Sequence, residues 1–208
     1  MSAIPVVLLH GALRSSLGMW PTAAYLRCRG LQPRAFDYAT RSATLEQHAR
    51  RLDAFVQEWL GPRPPVLGFL THSMGALVVR KYLTTATLGD EQRVVMLSPP
   101  NRGSQLAARN QGRRAFRLLY GHAADELQPE RVARLPALPA SAHVLVLAGG
   151  RGDARGFNPL VEGDDDGVVA VDEMRLPGVE PTFVGGLHAT LQWRRTVLEP
   201  AATFLRGG

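Results

Sequence analysis

The chain has 208 residues, 45% of them hydrophobic and 20% charged. That balance excludes a disordered or collagen-like chain, and the length fits one folded domain, residues 1–208, able to close a hydrophobic core. The formal charge of +6 rests almost wholly on arginine, since Lys81 is the only lysine; with no basic block or aromatic-interleaved stripe it gives no sign of nucleic-acid binding, though it admits transient contact with an anionic membrane surface.

In chain order, Pro5–Leu9 is an apolar run of strand length, too short for a signal-peptide core or a membrane span. No basic segment precedes it, so the chain is read as cytoplasmic. The run ends in His10-Gly11-Ala12-Leu13, followed by polar Arg14, Ser15 and Ser16, and a helix opens near Trp20-Pro21. Cys28, the lone cysteine, cannot form an intramolecular disulfide or a thiolate metal cage, and is read as helix filler. A second strand is expected at Pro33–Tyr38. From Ser42 onward Leu45, Ala49, Leu52, Val56 and Trp59 recur at helical spacing until Gly61-Pro62, which predicts a helix burying one stripe, with His48 on its polar side. Strand Pro65–Leu70, helix Met74–Thr87 and strand Arg93–Leu97 follow. The stretch Ser104–Leu138 is helical in pieces, broken at Gly112, Gly121 and Pro129, before strands His143–Ala148 and Thr182–Val184 and a helix over His188–Leu205. Strand-length runs alternating with helix-periodic segments predict an α/β protein, with a mostly parallel central sheet covered by helices on both faces.

The chemistry centres on Thr71-His72-Ser73-Met74-Gly75, between an apolar strand and a helix. A serine on a sharp strand-to-helix turn has its hydroxyl exposed above the carboxyl edge of the sheet, and the N–H of Met74 is placed to meet a developing oxyanion. The usual pattern is G-x-S-x-G, and here Thr71 replaces the first glycine. A serine that merely caps the helix is the competing reading.

A serine nucleophile needs a base, and six histidines compete. His48 lies on a helix, His122 in the broken helical region and His143 at the start of a strand. His10 is read as a brace for its loop. His72 adjoins the serine but points away by backbone direction. His188, in the glycine-rich loop Gly185-Gly186-Leu187-His188 after the last strand, stands at the same sheet edge as Ser73 and is the expected base. For the orienting carboxylate, chain order selects acids between Ser73 and His188. Asp166, preceding Gly167-Val168-Val169, suits a rigid turn best, and Asp153, Asp164 and Asp165 are the alternatives. The run Asp164-Asp165-Asp166 lacks the spacing of a calcium loop, so solvated turn residues and no metal are expected.

His10-Gly11, the Thr71–Gly75 turn, Ser98-Pro99-Pro100-Asn101-Arg102-Gly103-Ser104, Asp166-Gly167-Val168-Val169 and His188 together resemble the compact bacterial lipase/esterase-like α/β-hydrolase family across nearly the whole chain. The resemblance implies an α/β-hydrolase fold with a minimal lid or none. It implies Ser73, Asp166 and His188 as a catalytic triad, and the N–H groups of Ala12 and Met74 as an oxyanion hole. Leu13, Asn101 and Ser104 would line the substrate pocket. The implied substrate is a small-molecule or lipid ester, cleaved through an acyl-enzyme without a cofactor. Acyl transfer on the same triad, and a catalytically degenerate hydrolase fold used for binding, are the competing functions.

Overall fold

The computed structural model describes residues 3–208. Strands β1 (Pro5–Leu9), β2 (Gln32–Phe36), β3 (Val66–His72), β4 (Glu91–Leu97), β5 (Ala142–Ala148) and β6 (Thr182–Phe183) form one sheet in the order β2-β1-β3-β4-β5-β6. Every pairing is parallel. All the expected strands are present. β3 runs on through Thr71-His72 and β4 begins early at Glu91-Gln92, because these polar residues join the ladder between the two strands through backbone groups that no apolar pattern reveals.

The helices in chain order are α1 (Trp20–Cys28), α2 (Leu45–Leu60), α3 (Gly75–Leu83), α4 (Gln105–Arg109), α5 (Arg114–Tyr120), α6 (His122–Glu126), α7 (Pro129–Val132) and α8 (Arg195–Leu205). Alternate strand residues face opposite sides, which divides the core in two. Val7, Leu9, Phe69 and Met96 pack with the apolar stripes of α2 and α3. Val6, Leu8, Leu70 and Leu97 pack with α1 and α8 on the other face. Both faces of the central strands are therefore covered, which is why they read as unbroken Val/Leu runs.

The helix boundaries have local causes. α2 starts at a reciprocal cap in which Gln47 N–H donates to Thr44 Oγ1 and Thr44 N–H to Gln47 Oε1, and it stops at Gly61 with a φ of 75°. α3 ends before the predicted Thr87, where the hydroxyls of Thr84 and Thr85 donate back to carbonyls of the last turn. The helix expected over His188–Leu205 is divided: His188–Trp193 is a tight 3-10 segment, and extended Arg194 separates it from α8, its guanidinium donating to Gly185 O. The connection from Gln105 to Val132 consists of the four short helices α4–α7.

Two side-chain placements away from the sheet edge at Ser73 differ from expectation. Cys28 is exposed at the last position of α1 and fills no interior space. His48 is fully buried, its ring edge-on to Tyr38 at 4.9 Å, because the face of α2 that carries it turns toward the segment after β2. Among the described residues no helix is long and apolar enough to cross a membrane.

Burial lowers the pKa of His48 from 6.5 to about 4, and that of His10 and His72 in the same direction. An unfolded chain takes up these protons first, so the stability they contribute is fully present above about pH 6.5 and falls as the pH drops toward 4. Urea unfolding followed from about pH 7 down to about pH 4.5 is expected to show a declining midpoint, with a shallower decline in His48→Leu.

Candidate active site

The chain leaves β1 for β2 on one side and returns to β3 on the other, so a crevice opens at the carboxyl ends of β1 and β3. Ser73 stands there. Its φ of 54° is left-handed, a conformation costing a non-glycine residue about 1–3 kcal/mol, and it is held by Ser73 N–H donating to Leu97 O at 2.9 Å. Two glycines make room. A Cβ on Gly75 would lie 2.9 Å from His10 O and from Leu9 Cβ, and one on Gly11 would lie 2.9 Å from His72 Nδ1 and 3.0 Å from Ser73 Cβ. Thr71 is accommodated in place of the first glycine because its buried hydroxyl donates to Val95 O at 3.2 Å on the neighbouring strand.

The loop after β1 is braced from below. The His10 ring stacks on Tyr38 at 4.4 Å, Tyr38 Oη donates to His10 O at 2.6 Å, and His10 Nδ1 lies 2.9 Å from Gly11 O. Leu13, with a φ of 58°, donates its N–H to Thr40 Oγ1 at 3.1 Å. Between these anchors Ala12 faces the crevice beside Ser73. Among the described residues the N–H groups of Ala12 and Met74 donate to no protein acceptor.

On the far side, Asp166 Oδ2 lies 2.7 Å from His188 Nδ1. The other oxygen, Oδ1, accepts from the N–H groups of Val168 at 3.0 Å and Val169 at 2.8 Å, and Asp166 O accepts from His188 N–H at 2.8 Å. The carboxylate is thus fixed at both oxygens in a buried position. A reciprocal backbone pair between Gly150 and Gly186 ties the loop after β5 to the loop carrying His188.

The remaining acids have other partners. Asp153 is exposed and pairs with Arg151 at 3.1 Å. Asp164 accepts from the N–H groups of Arg151 and Gly152, and Asp165 from those of Asn158 and Gly167. Asp165 is wholly buried, so the run is a set of loop braces and not the solvated turn expected from its composition. Among the described residues no group of three or more His, Cys, Asp or Glu side chains is arranged to hold a metal.

Ser73 and His188 share a cavity of about 350 Å³. No hydrogen bond joins Ser73 Oγ to the His188 ring among the described residues; such bonds are often long in unliganded sites and tighten with substrate. Leu13 and Ser104 line the cavity as expected. Asn101 does not: its side-chain amide donates to Met174 O at 3.0 Å and its carbonyl accepts from Arg80, which holds it against a different cavity. His72 was expected to point away, yet it lines the cavity and its Nε2 donates to His188 O at 2.9 Å, with the two rings 4.6 Å apart. The sharp turn at Ser73 sets its strand end beside the His188 loop. Tyr120 and Leu127, from the connection after β4, form an apolar wall that no motif marks.

No family model and no curated protein sequence matches the chain. Its structure does match solved ones. The mature form of the lipase BlEst2 from Bacillus licheniformis superposes with a TM-score of 0.75 at 19% identity, covering 97% of this chain and 92% of that one. The propeptide form of the same lipase gives 0.76 at 21% identity over 97% of this chain, which spans 50% of that chain. The metagenomic carboxyl esterase MGS0156 gives 0.71 at 16% identity, covering 100% of this chain and 75% of that one. The chain has the α/β-hydrolase fold. At such identities the likeness carries the architecture, and the reaction has to be argued from the residues. In this hydrolase fold Ser73, Asp166 and His188 follow three different strands and meet at one sheet edge.

Removing Asp165 leaves the half-buried N–H groups of Asn158 and Gly167 without their acceptor, each such loss worth about 1–3 kcal/mol where water does not replace it. Asp165→Ala is expected to lower the urea midpoint clearly, while Asp153→Ala on the exposed loop leaves it near the wild-type value.

Proposed function

We propose that the chain, acting as a single catalytic domain, hydrolyses carboxylic esters through an acyl-enzyme on Ser73. The observation that carries this is the buried Asp166–His188 pair at 2.7 Å, sharing a cavity with a serine held at a φ of 54°. A carboxylate so fixed holds the imidazole in the tautomer with Nδ1 protonated, leaving Nε2 free to act as a base.

Ser73 Oγ attacks the ester carbonyl while His188 Nε2 takes its proton, giving a tetrahedral intermediate with one negative oxygen. The N–H groups of Ala12 and Met74, uncommitted within the chain, supply donors to that oxygen, each typically worth about 3 kcal/mol of barrier. Collapse breaks the bond to the leaving alcohol, which receives the proton from His188. Water then attacks the acyl-enzyme, His188 again takes the proton, and it returns that proton to Ser73 as the acid departs. No step calls for a cofactor.

The cavity is small, with apolar contributions from Leu13, Leu127, Val168 and Val169, which favours a short or medium acyl chain. Arg14 at its mouth would aid encounter with an anionic lipid surface. The matched structures are a lipase and a carboxyl esterase, which agrees with an ester or lipid substrate.

Ser73→Ala is expected to abolish turnover of short-chain p-nitrophenyl esters with the fold retained, and Asp166→Asn to lower kcat by about 10³–10⁴-fold, since the amide stabilises the wrong imidazole tautomer. Unchanged turnover in folded Ser73→Ala removes the assignment.

A further inference from the structure

A second cavity, larger than the one at Ser73, lies away from it. It measures about 750 Å³, within the range of about 300–1,000 Å³ common for ligand pockets. Its walls come from α7 and the proline-rich segment that follows, from β5, and from the turn at Leu176-Pro177, with Val132, Leu135, Leu138 and Val144 among the apolar lining. The Ser98–Ser104 turn separates it from the catalytic cavity: Asn101 lies on one side, and Pro100 and Ser104 on the other.

Within this apolar lining stands Arg80 of α3, only 6% exposed. Its Nη1 donates to Asn101 O at 3.0 Å. Nε has no protein partner, and among the described residues Arg80 makes no ion pair. Nε is itself covered by protein, so with Nη1 engaged Nη2 is the guanidinium nitrogen left to reach a ligand, and it offers a carboxylate oxygen a charge-assisted hydrogen bond. The other charged residues at the cavity are Arg102, already paired with Asp172 at 2.8 Å, and exposed Glu130 at the rim. Burial lowers the Arg80 pKa to about 10, which leaves it charged at neutral pH. A lone buried cation costs several kcal/mol unless an anion compensates it. Bracing the Asn101 carbonyl accounts for Nη1 and for neither the unmatched charge nor the cavity.

We infer that this cavity is a binding site for an aliphatic monocarboxylate, its carboxylate on Nη2 of Arg80 and its chain against Val132, Leu135 and Leu138. A single net cation beside Glu130 disfavours phosphate or polyanionic ligands, and the apolar lining disfavours short polar acids. The inference does not depend on Ser73 chemistry, and its readout is binding rather than turnover.

Calorimetric titration of the full chain with decanoate tests it. Saturable one-to-one binding is expected, weakened at least about tenfold in Arg80→Gln, as for loss of a charge-assisted hydrogen-bonded pair. Decanol is expected to bind at least as much more weakly. Ala137→Trp, which plugs the cavity from an exposed rim position and spares the core, is expected to weaken decanoate to a similar degree and decides the matter if Arg80→Gln does not fold. Absence of saturable binding, equal affinity for decanol, or decanoate affinity unchanged in Ala137→Trp overturns the site.

Discussion

The contact between the loop after β1 and the turn after β3 is the constraint on which the rest of the site depends. With Leu9 paired to Thr71 across adjacent strands, the two chains leave the sheet side by side, and neither Gly11 nor Gly75 has room for a Cβ. That closeness lets Ser73 keep a left-handed backbone, and it sets the N–H groups of Ala12 and Met74 near the serine. Tyr38, His10 and Thr40 hold one partner of the contact in place, and Leu97 O holds the other. The strain at Ser73 is thus carried by a scaffold built before any substrate arrives, the condition under which fixed donors stabilise charge without reorganising.

The buried polar groups around this contact follow one rule. Carboxylates are held by backbone amides: Asp166, Asp165 and Glu173 each accept from at least one N–H. Histidines are held neutral by burial, as at His10, His48 and His72. Arg80 departs from this rule, a buried cation with no ion-pair partner among the described residues, at the larger and more apolar cavity.

Much of this was legible in the sequence, for physical reasons that can be named. Strands covered on both faces must be continuously apolar, so β1, β3, β4 and β5 stand out as Val/Leu runs, and α2 shows its buried stripe at helical spacing. That Ser73, Asp166 and His188 converge at one sheet edge was legible by position, each lying beyond the end of a different strand. What the sequence hid were features decided by tertiary packing. The burial of His48 depends on which way α2 rolls against Tyr38, and the contact of His72 with the His188 loop depends on a turn that redirects the strand end. Asn101 sits in a motif that reads as pocket lining, yet its amide and carbonyl are taken by Met174 O and Arg80. The aspartate run looked solvated because no local pattern shows that Arg151, Gly152 and Asn158 return to donate to it.

Labelling with a fluorophosphonate, followed by mass mapping of the modified peptide, tests most directly whether Ser73 is a nucleophile activated by His188. One phosphonyl adduct, on Ser73, and strongly slowed labelling in folded His188→Ala are expected. An unlabelled but folded wild-type protein, or an adduct on another residue, would contradict it.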